Sequence, residues 1–135
     1  MASSRARLLL VDDEPAIREV TSALLAWEGY DVSTAEDGVE AMGQLVEPLP
    51  DLVISDLRMP RMSGFELLTL VRERFPHVPV IAMSGEFSEK ELPAGILADA
   101  FLQKGSFTIH QLCSKIAELI STPPQRGRAC MQIRS

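Results

Sequence analysis

Short apolar runs alternate with helical patterns along the whole chain. Each run is mostly aliphatic, as is typical of strands buried on both faces of a sheet; the runs are residues 8–11, 32–35, 52–55, 78–83 and 101–102. Between them, apolar side chains recur every three or four residues, which indicates helices. These are Ala16, Val20, Leu24 and Trp27, then Phe65, Leu68, Val71 and Phe75, and finally Leu112, Ile116 and Leu119. The alternation predicts an α/β fold: a single doubly wound domain with a parallel sheet and about five helices on its two faces.

One helix in this scheme is interrupted. Only Glu86 to Ala98 is available for the helix between the fourth and fifth strands, and Pro93 and Gly95 lie inside that range. Proline removes a backbone donor, and glycine lowers helix propensity. We therefore expect this helix to be short, kinked or partly unwound.

The composition narrows the class of protein. A chain of 135 residues fits one domain, which we place at residues 7–120, and the Pro- and Gly-containing residues 121–135 are typical of a flexible tail. The two cysteines have no metal-ligand spacing, and no apolar run approaches the ~18 residues of a membrane span. The net charge of −6 disfavours binding to nucleic acid or anionic lipid. We expect a cytoplasmic protein without membrane insertion, whose partners are other proteins.

Polar residues follow the predicted strands at one edge of the sheet. Asp12 and Asp13 follow the first strand, Asp56 the third, Ser84 the fourth and Lys104 the fifth. Taken singly, these residues have ordinary structural interpretations: a helix cap for Asp13 or Ser84, a turn at Asp56 and a solvated lysine at Lys104. In a parallel sheet, however, the carboxyl ends of the strands meet at the same edge, where ligands bind. Their joint placement predicts a functional site.

The residue types at this edge suit phosphoryl chemistry. Three neighbouring carboxylates repel each other, so at least one pKa rises unless a cation joins them. Mg²⁺ prefers such hard oxygen ligands, and Mn²⁺ can replace it. A carboxylate can attack phosphorus to form an acyl phosphate, while an ammonium and a hydroxyl bind the phosphoryl oxygens. We predict Asp56 as the phosphoacceptor, assisted by Lys104 and Ser84.

These residues resemble the response-regulator receiver domain of two-component phosphorelay systems over about residues 7–120. Val11-Asp12-Asp13-Glu14 is similar to the family's acidic motif, and Asp56 through Gly64 to its phosphoacceptor loop. The resemblance implies a chemotaxis-regulator-like, flavodoxin-like fold with strand order 2-1-3-4-5. It also implies a regulatory protein that is not an enzyme beyond self-catalysed phosphorylation and dephosphorylation. The implied partners are a sensor histidine kinase or phosphotransfer protein and an unknown downstream protein, with a homodimer through the helices around the fifth strand as an option.

The resemblance also assigns roles to single residues. Asp13 and Asp56 would ligate Mg²⁺ directly and Asp12 through water, with the Arg58 backbone carbonyl as a further ligand. Ser84 corresponds to the switch hydroxyl and Phe101 to the switch aromatic, for which ordinary core packing is the alternative. At Gly105 the family usually has proline, and we expect glycine to allow the same backbone path with looser placement of Lys104.

Two further residues are predicted at the rim of the pocket. Arg58 lies two positions after Asp56, and Glu86 lies two after Ser84. Their opposite charges suggest a pair that shields the acyl phosphate from water and so lengthens its lifetime.

Two alternative functions remain open at this point. One is a receiver-like interaction module that acts independently of phosphorylation, as the interrupted helix and Gly105 suggest. The other is a phosphohydrolase of the haloacid dehalogenase type, which also uses an aspartate at a strand end. The second alternative requires an acid two residues after the nucleophile, where this chain has Arg58.

Overall fold

Five parallel strands form the centre of the molecule in the order β2-β1-β3-β4-β5. The structure is a computed structural model that describes residues 5–59, 63–85 and 98–121. The strands are β1 (Arg7–Val11), β2 (Asp31–Ala35), β3 (Leu52–Asp56), β4 (Val80–Ser84) and β5 (Ala100–Gln103). The sequence predicted all five strands, and their observed order is the one that the resemblance implied.

The structure describes four helices between and after these strands: α1 (Pro15–Trp27), α2 (Gly38–Gln44), α3 (Gly64–Arg74) and α4 (Ile109–Ser121). Three of them coincide with the apolar periodicities in the sequence. The interrupted helix predicted from Glu86 to Ala98 lies outside the described residues except for Ala98, and so does the predicted tail after Ser121. Within the described part of the chain, no helix is both long and apolar enough to cross a bilayer.

Both faces of the sheet are covered by helices, which explains the continuous apolar character of the strands. Successive strand residues point to opposite sides, so Leu9 packs in the layer formed with α2 and α3, whereas Leu8 and Leu10 pack in the layer formed with α1 and α4. The central strands β3 and β4 are buried at every position. The sheet is therefore a rigid platform for whatever lies at its carboxyl edge.

Helix α1 departs from the expected burial. The apolar residues that mark it in the sequence lie on its solvent side, and Leu25 is its one buried residue. Trp27 is 86% exposed and Val20 is 59% exposed. Ile17, Val20, Leu24 and Trp27 form a continuous apolar row at heptad-like spacing, which we call the α1 stripe. The periodicity identified the helix correctly but not the face that packs on the sheet.

A buried ion pair joins α3 to the residue that precedes β5. Arg72 Nη2 lies 3.0 Å from Asp99 Oδ2, and the two side chains are 4% and 11% exposed. The same carboxylate oxygen accepts a hydrogen bond from the Val80 backbone N–H at 2.8 Å. Asp99 thus connects α3, the start of β4 and the entry to β5. The sequence reasoning did not identify this pair, because both residues look like ordinary surface charges.

Candidate functional site

The carboxyl ends of four strands place the predicted site residues together. Asp12 directly follows β1, Asp56 ends β3, Ser84 ends β4 and Lys104 directly follows β5. Asp56 and Lys104 line a cleft of about 770 Å³ at this edge of the sheet, and Asp12 and Ser84 are buried. The cleft is lined by Asp13, Glu14, Ile17, Asp56, Arg58, Met59, Gly85, Lys104 and Gly105.

Lys104 is the hub of the side-chain contacts in this cleft. Its Nζ donates to Asp56 Oδ2 at 2.9 Å, to Asp12 Oδ1 at 3.1 Å and to Glu14 Oε1 at 2.5 Å. Its backbone N–H donates to the Ser84 carbonyl at 2.9 Å, which continues the β4–β5 pairing by one residue. Residues far apart in the sequence are therefore joined through one ammonium group.

The two buried aspartates have unusual electrostatics. Burial is the largest influence on Asp56 and Asp12, and it raises the pKa of both carboxyls despite their hydrogen bonds to Lys104 and to backbone N–H groups. Repulsion from Asp12 adds a smaller upward contribution to the pKa of Asp56. The predicted rise is thus confirmed in direction, although burial and not mutual repulsion is its main cause.

Lys104 stays charged in this setting. Burial alone would lower its pKa, but hydrogen bonds to Glu14, Asp56 and Asp12 together outweigh burial, and the pKa of Lys104 is raised above its ordinary value. The cleft therefore contains a permanent positive charge beside a carboxylate that is less stable as an anion than in water.

A close backbone approach fixes the loop after Asp56. A Cβ added at Gly64 would lie 2.0 Å from the Asp56 carbonyl oxygen and 2.6 Å from Leu57 Cα. Only a glycine lets the first turn of α3 approach so closely. Ser63 caps the same helix in a reciprocal capping box with Glu66. The start of α3 is thus built against the backbone of the predicted phosphoacceptor.

The three aspartates form a set of carboxylates that could hold one cation. One carboxylate oxygen from each of Asp12, Asp13 and Asp56 lies within 4.8 Å of the others. Asp12 Oδ2 is buried and has no hydrogen-bond partner among the described residues. A buried carboxylate oxygen without a partner is costly, and a hard divalent cation would satisfy it. The residues therefore fit a metal of the Mg²⁺ type.

The local contacts around the aspartates also settle two structural interpretations. Helix α1 begins at Pro15 with Glu14 at its N-cap, so Asp13 is exposed and does not cap the helix. The Arg58 backbone N–H donates to Asp56 Oδ1 at 3.2 Å, which is the turn contact considered as an alternative for Asp56. Because Asp56 Oδ2 still faces Lys104, this turn is compatible with the predicted chemical role.

The remaining predicted residues have mixed placements. Ser84 is fully buried next to the cleft and does not line it, and Phe101 is half-buried against the core. Arg58 lines the cleft with an exposed side chain, whereas Glu86 lies outside the described residues. The Arg58–Glu86 pair and its effect on the acyl phosphate therefore stay predictions.

Gly105 follows a path that the expectation did not foresee. Its φ is +81°, in the left-handed region, whereas the ring of proline fixes φ near −65°. The idea that glycine preserves the backbone path of a proline is therefore wrong. Lys104 is instead placed by its side-chain contacts with carboxylates.

Sequence reasoning missed the partnership between Glu14 and Lys104. Glu14 appeared only as part of the acidic motif, although its position at the start of α1 places it beside Asp12. A glutamate at an N-cap, where shorter polar side chains are favoured, was the available signal.

The fold and the cleft define the class of protein: a doubly wound regulatory domain with an acidic pocket at the carboxyl edge of its sheet. The chain belongs to the response regulator receiver domain family, whose model matches residues 8–117. It is a signalling domain of two-component systems, regulatory in character rather than an enzyme in the usual sense. This membership removes the support for the phosphohydrolase alternative.

Known proteins resemble the chain in sequence and in structure. Response regulator MprA of Mycobacterium sp. (strain KMS) is 35% identical over 124 residues, which cover 90% of this chain and 54% of that protein. The receiver domain protein (CheY-like) of Methanospirillum hungatei JF-1 has a TM-score of 0.79 at 30% identity, covering 87% of this chain and 94% of that one. TrrA of Thermotoga maritima, solved in complex with Mg(2+)-BeF, has a TM-score of 0.77 at 35% identity, covering 84% and 98%. The chain spans about half the length of the curated relatives it matches.

Proposed function

We propose that Asp56 accepts a phosphoryl group and that its phosphorylation switches the binding of a partner protein. The observation that carries this proposal is the convergence of Asp56, Asp12 and Lys104, from three different strand ends, through hydrogen bonds to one ammonium group. The phosphoryl group would come from a sensor histidine kinase or a phosphotransfer protein. The alternative of a module that acts independently of phosphorylation is tested by the same experiment.

The proposed step is an in-line transfer to a carboxylate oxygen. A lone pair on an Asp56 oxygen forms the new O–P bond while the bond between phosphorus and the donor's leaving atom breaks, and the leaving group takes that electron pair. Lys104, already 2.9 Å from Asp56 Oδ2, stabilises the charge on the phosphoryl oxygens. In the reverse direction, water attacks phosphorus, the O–P bond to Asp56 breaks, and the products are inorganic phosphate and the free Asp56 carboxylate.

Asp12, Asp13 and Asp56 would hold Mg²⁺, or Mn²⁺ in its place, and the Arg58 carbonyl is proposed as a further ligand. When bound, the cation supplies positive charge against the phosphoryl oxygens and offsets repulsion among the carboxylates. Ser84 and Phe101 are proposed as the residues that couple phosphorylation to the surface.

Incubation with acetyl phosphate and Mg²⁺, followed by intact-mass measurement, tests the proposed function. We expect one phosphoryl adduct on the wild type and none on Asp56→Asn. Asp31→Asn removes an exposed carboxylate at the start of β2 and serves as the matched control, which should be phosphorylated like the wild type. A wild type that takes no phosphate would favour the phosphorylation-independent module.

The raised pKa values predict a metal-dependent stability. A carboxyl whose pKa is higher in the folded than in the unfolded protein destabilises the fold above that folded pKa, and the penalty disappears as the pH falls towards the unfolded value. In Mg²⁺-free buffer near pH 7, Asp56→Asn should therefore raise the melting temperature by a few degrees. Mg²⁺ should raise it for the wild type and much less for the variant. Calorimetry with and without Mg²⁺ checks this, and a lower melting temperature for the metal-free variant would contradict it.

The α1 stripe is proposed as the docking surface for the phosphodonor protein. Ile17, its first residue, also lines the cleft that contains Asp56, so the stripe leads directly from the acceptor. Apolar rows at this spacing pack against other helices. Acidic residues beside the stripe, among them Glu14, Glu19 and Glu28, suit a donor helix with basic flanks.

Truncation of the α1 stripe should slow phosphorylation by a protein donor but not by a small-molecule donor. The protein donor is the purified histidine kinase that phosphorylates the wild type fastest. In the double variant Val20→Ala, Trp27→Ala, the rate of phosphoryl transfer from this kinase should fall about tenfold or more. The rate with acetyl phosphate should not change. Val46 is nearly as exposed as Val20, at 58% against 59%, but lies in the connection between α2 and β3 and outside the stripe, so Val46→Ala is the control. Equal losses with both donors would refute docking at this surface.

A further inference from the structure

Lys104 contacts one carboxylate that the proposed phosphoryl chemistry does not require. Glu14 accepts a hydrogen bond from its Nζ, beside those accepted by Asp12 and Asp56. Glu14 lies at the N-cap of α1, where a side chain ordinarily accepts from an N–H of the first turn, but it makes no such bond. Its carboxylate is directed across the cleft to the lysine instead. The contact thus replaces local helix capping with a link between α1 and the loop after β5.

The number of N–H donors on Lys104 limits how many partners its ammonium group can bind. A lysine ammonium has three N–H donors, and three carboxylates occupy them in this structure. Lys104 must therefore release one partner before it can donate to a phosphoryl oxygen. The side chains of Asp12 and Asp56 are 1% and 5% exposed, whereas Glu14 is 58% exposed. Water can replace the lysine at Glu14 at the lowest cost, so Glu14 is the partner that leaves.

We propose that Glu14 is a positioning residue that holds one N–H of Lys104 in the unphosphorylated protein and yields it when a phosphoryl group arrives. This inference rests on the proposed phosphorylation of Asp56. The contact lowers the free energy of the unphosphorylated state and therefore slows phosphorylation.

Two variants of Glu14 distinguish the effect of its contact with Lys104 from the effect of its charge. Glu14→Gln removes the charge and weakens the bond to Lys104. Glu14→Asp keeps the charge, but its side chain is one methylene shorter and favours capping of α1 over reaching the lysine. Glu73→Gln makes the same change in net charge at an exposed site near the end of α3, outside the cleft and outside the proposed docking surface. Because Glu14 is exposed, all three variants should keep the fold, which circular dichroism verifies.

The measurement is the phosphorylation rate with acetyl phosphate and Mg²⁺, together with the affinity for beryllofluoride and Mg²⁺ as a non-covalent readout. Both Glu14 variants should react about two- to fivefold faster than the wild type and bind beryllofluoride more tightly by a similar factor, the change expected for loss of an exposed ion pair. Glu73→Gln should match the wild type. If Glu14→Asp matches the wild type, or if neither variant gains, the inference is overturned. A wild type that takes no phosphate overturns the proposed function itself, so the two failures are distinguishable.

Discussion

Gly64→Ala should destabilise the protein by about 3 kcal/mol and slow the phosphorylation of Asp56 about a hundredfold. The added methyl carbon would lie 2.0 Å from the Asp56 carbonyl oxygen and 2.9 Å from its carbonyl carbon, so the backbone itself must move. No side-chain rotation relieves a clash between two backbone segments. The displaced backbone carries Asp56, and a shift of even 1 Å at a reacting atom has a large effect on rate.

Gly43→Ala is the matched control for this variant. Gly43 lies inside α2, and no atom of the described residues lies within 4 Å of a Cβ added there. Alanine in a helix is favoured over glycine, so this variant should be about 0.5–1 kcal/mol more stable than the wild type. Urea unfolding and acetyl phosphate kinetics on both variants make the comparison. Wild-type stability and rate in Gly64→Ala would contradict the close approach of α3 to the phosphoacceptor loop.

Asp99→Ala should destabilise the protein by about 3–5 kcal/mol, because it removes the carboxylate that lies 3.0 Å from the buried Arg72 guanidinium. The loss includes the hydrogen bond from the Val80 N–H to the same oxygen. Since Asp99 leads into β5, we also expect the unfolding of this variant to expose β5 and the loop with Lys104 first. Hydrogen exchange measured by mass spectrometry should report reduced protection in residues 98–105.

The exposed pair of Lys115 and Glu118 provides the comparison for this buried pair. Its atoms are 3.8 Å apart, and its side chains are 47% and 66% exposed. Lys115→Ala should change the free energy of unfolding by no more than about 0.5 kcal/mol. If urea unfolding gives Asp99→Ala a loss as small as that of Lys115→Ala, the buried ion pair does not stabilise the fold as we argue.

The sequence was sufficient to predict the sheet because its signals are local. Aliphatic runs specify strands buried on both faces, and parallel topology places Asp12, Asp56 and Lys104 at one edge. The buried strands and their parallel topology therefore account for the proximity of these three residues. The periodicity of α1 was equally clear, but it could not identify the buried face, since the apolar row of this helix lies on its solvent side.

Other features were not predictable because they depend on long-range geometry. Arg72 and Asp99 are separated by 27 positions, and nothing in their neighbours indicates burial. The Glu14 side chain binds Lys104 and does not cap its own helix. This contact depends on the path of a loop that lies 90 residues away in the sequence. Likewise, the left-handed backbone at Gly105 could not be inferred from the usual proline at that position.

Phosphorylation at Asp56 is the central claim, and reductive trapping of the acyl phosphate tests it most directly. Protein treated with acetyl phosphate and Mg²⁺ is quenched with borohydride, which reduces an aspartyl phosphate to homoserine, and the modified residue is located by peptide mass spectrometry. We predict homoserine at position 56 in a reaction that depends on both acetyl phosphate and Mg²⁺. Unmodified Asp56, or homoserine at another aspartate while Asp56 stays intact, would contradict the account.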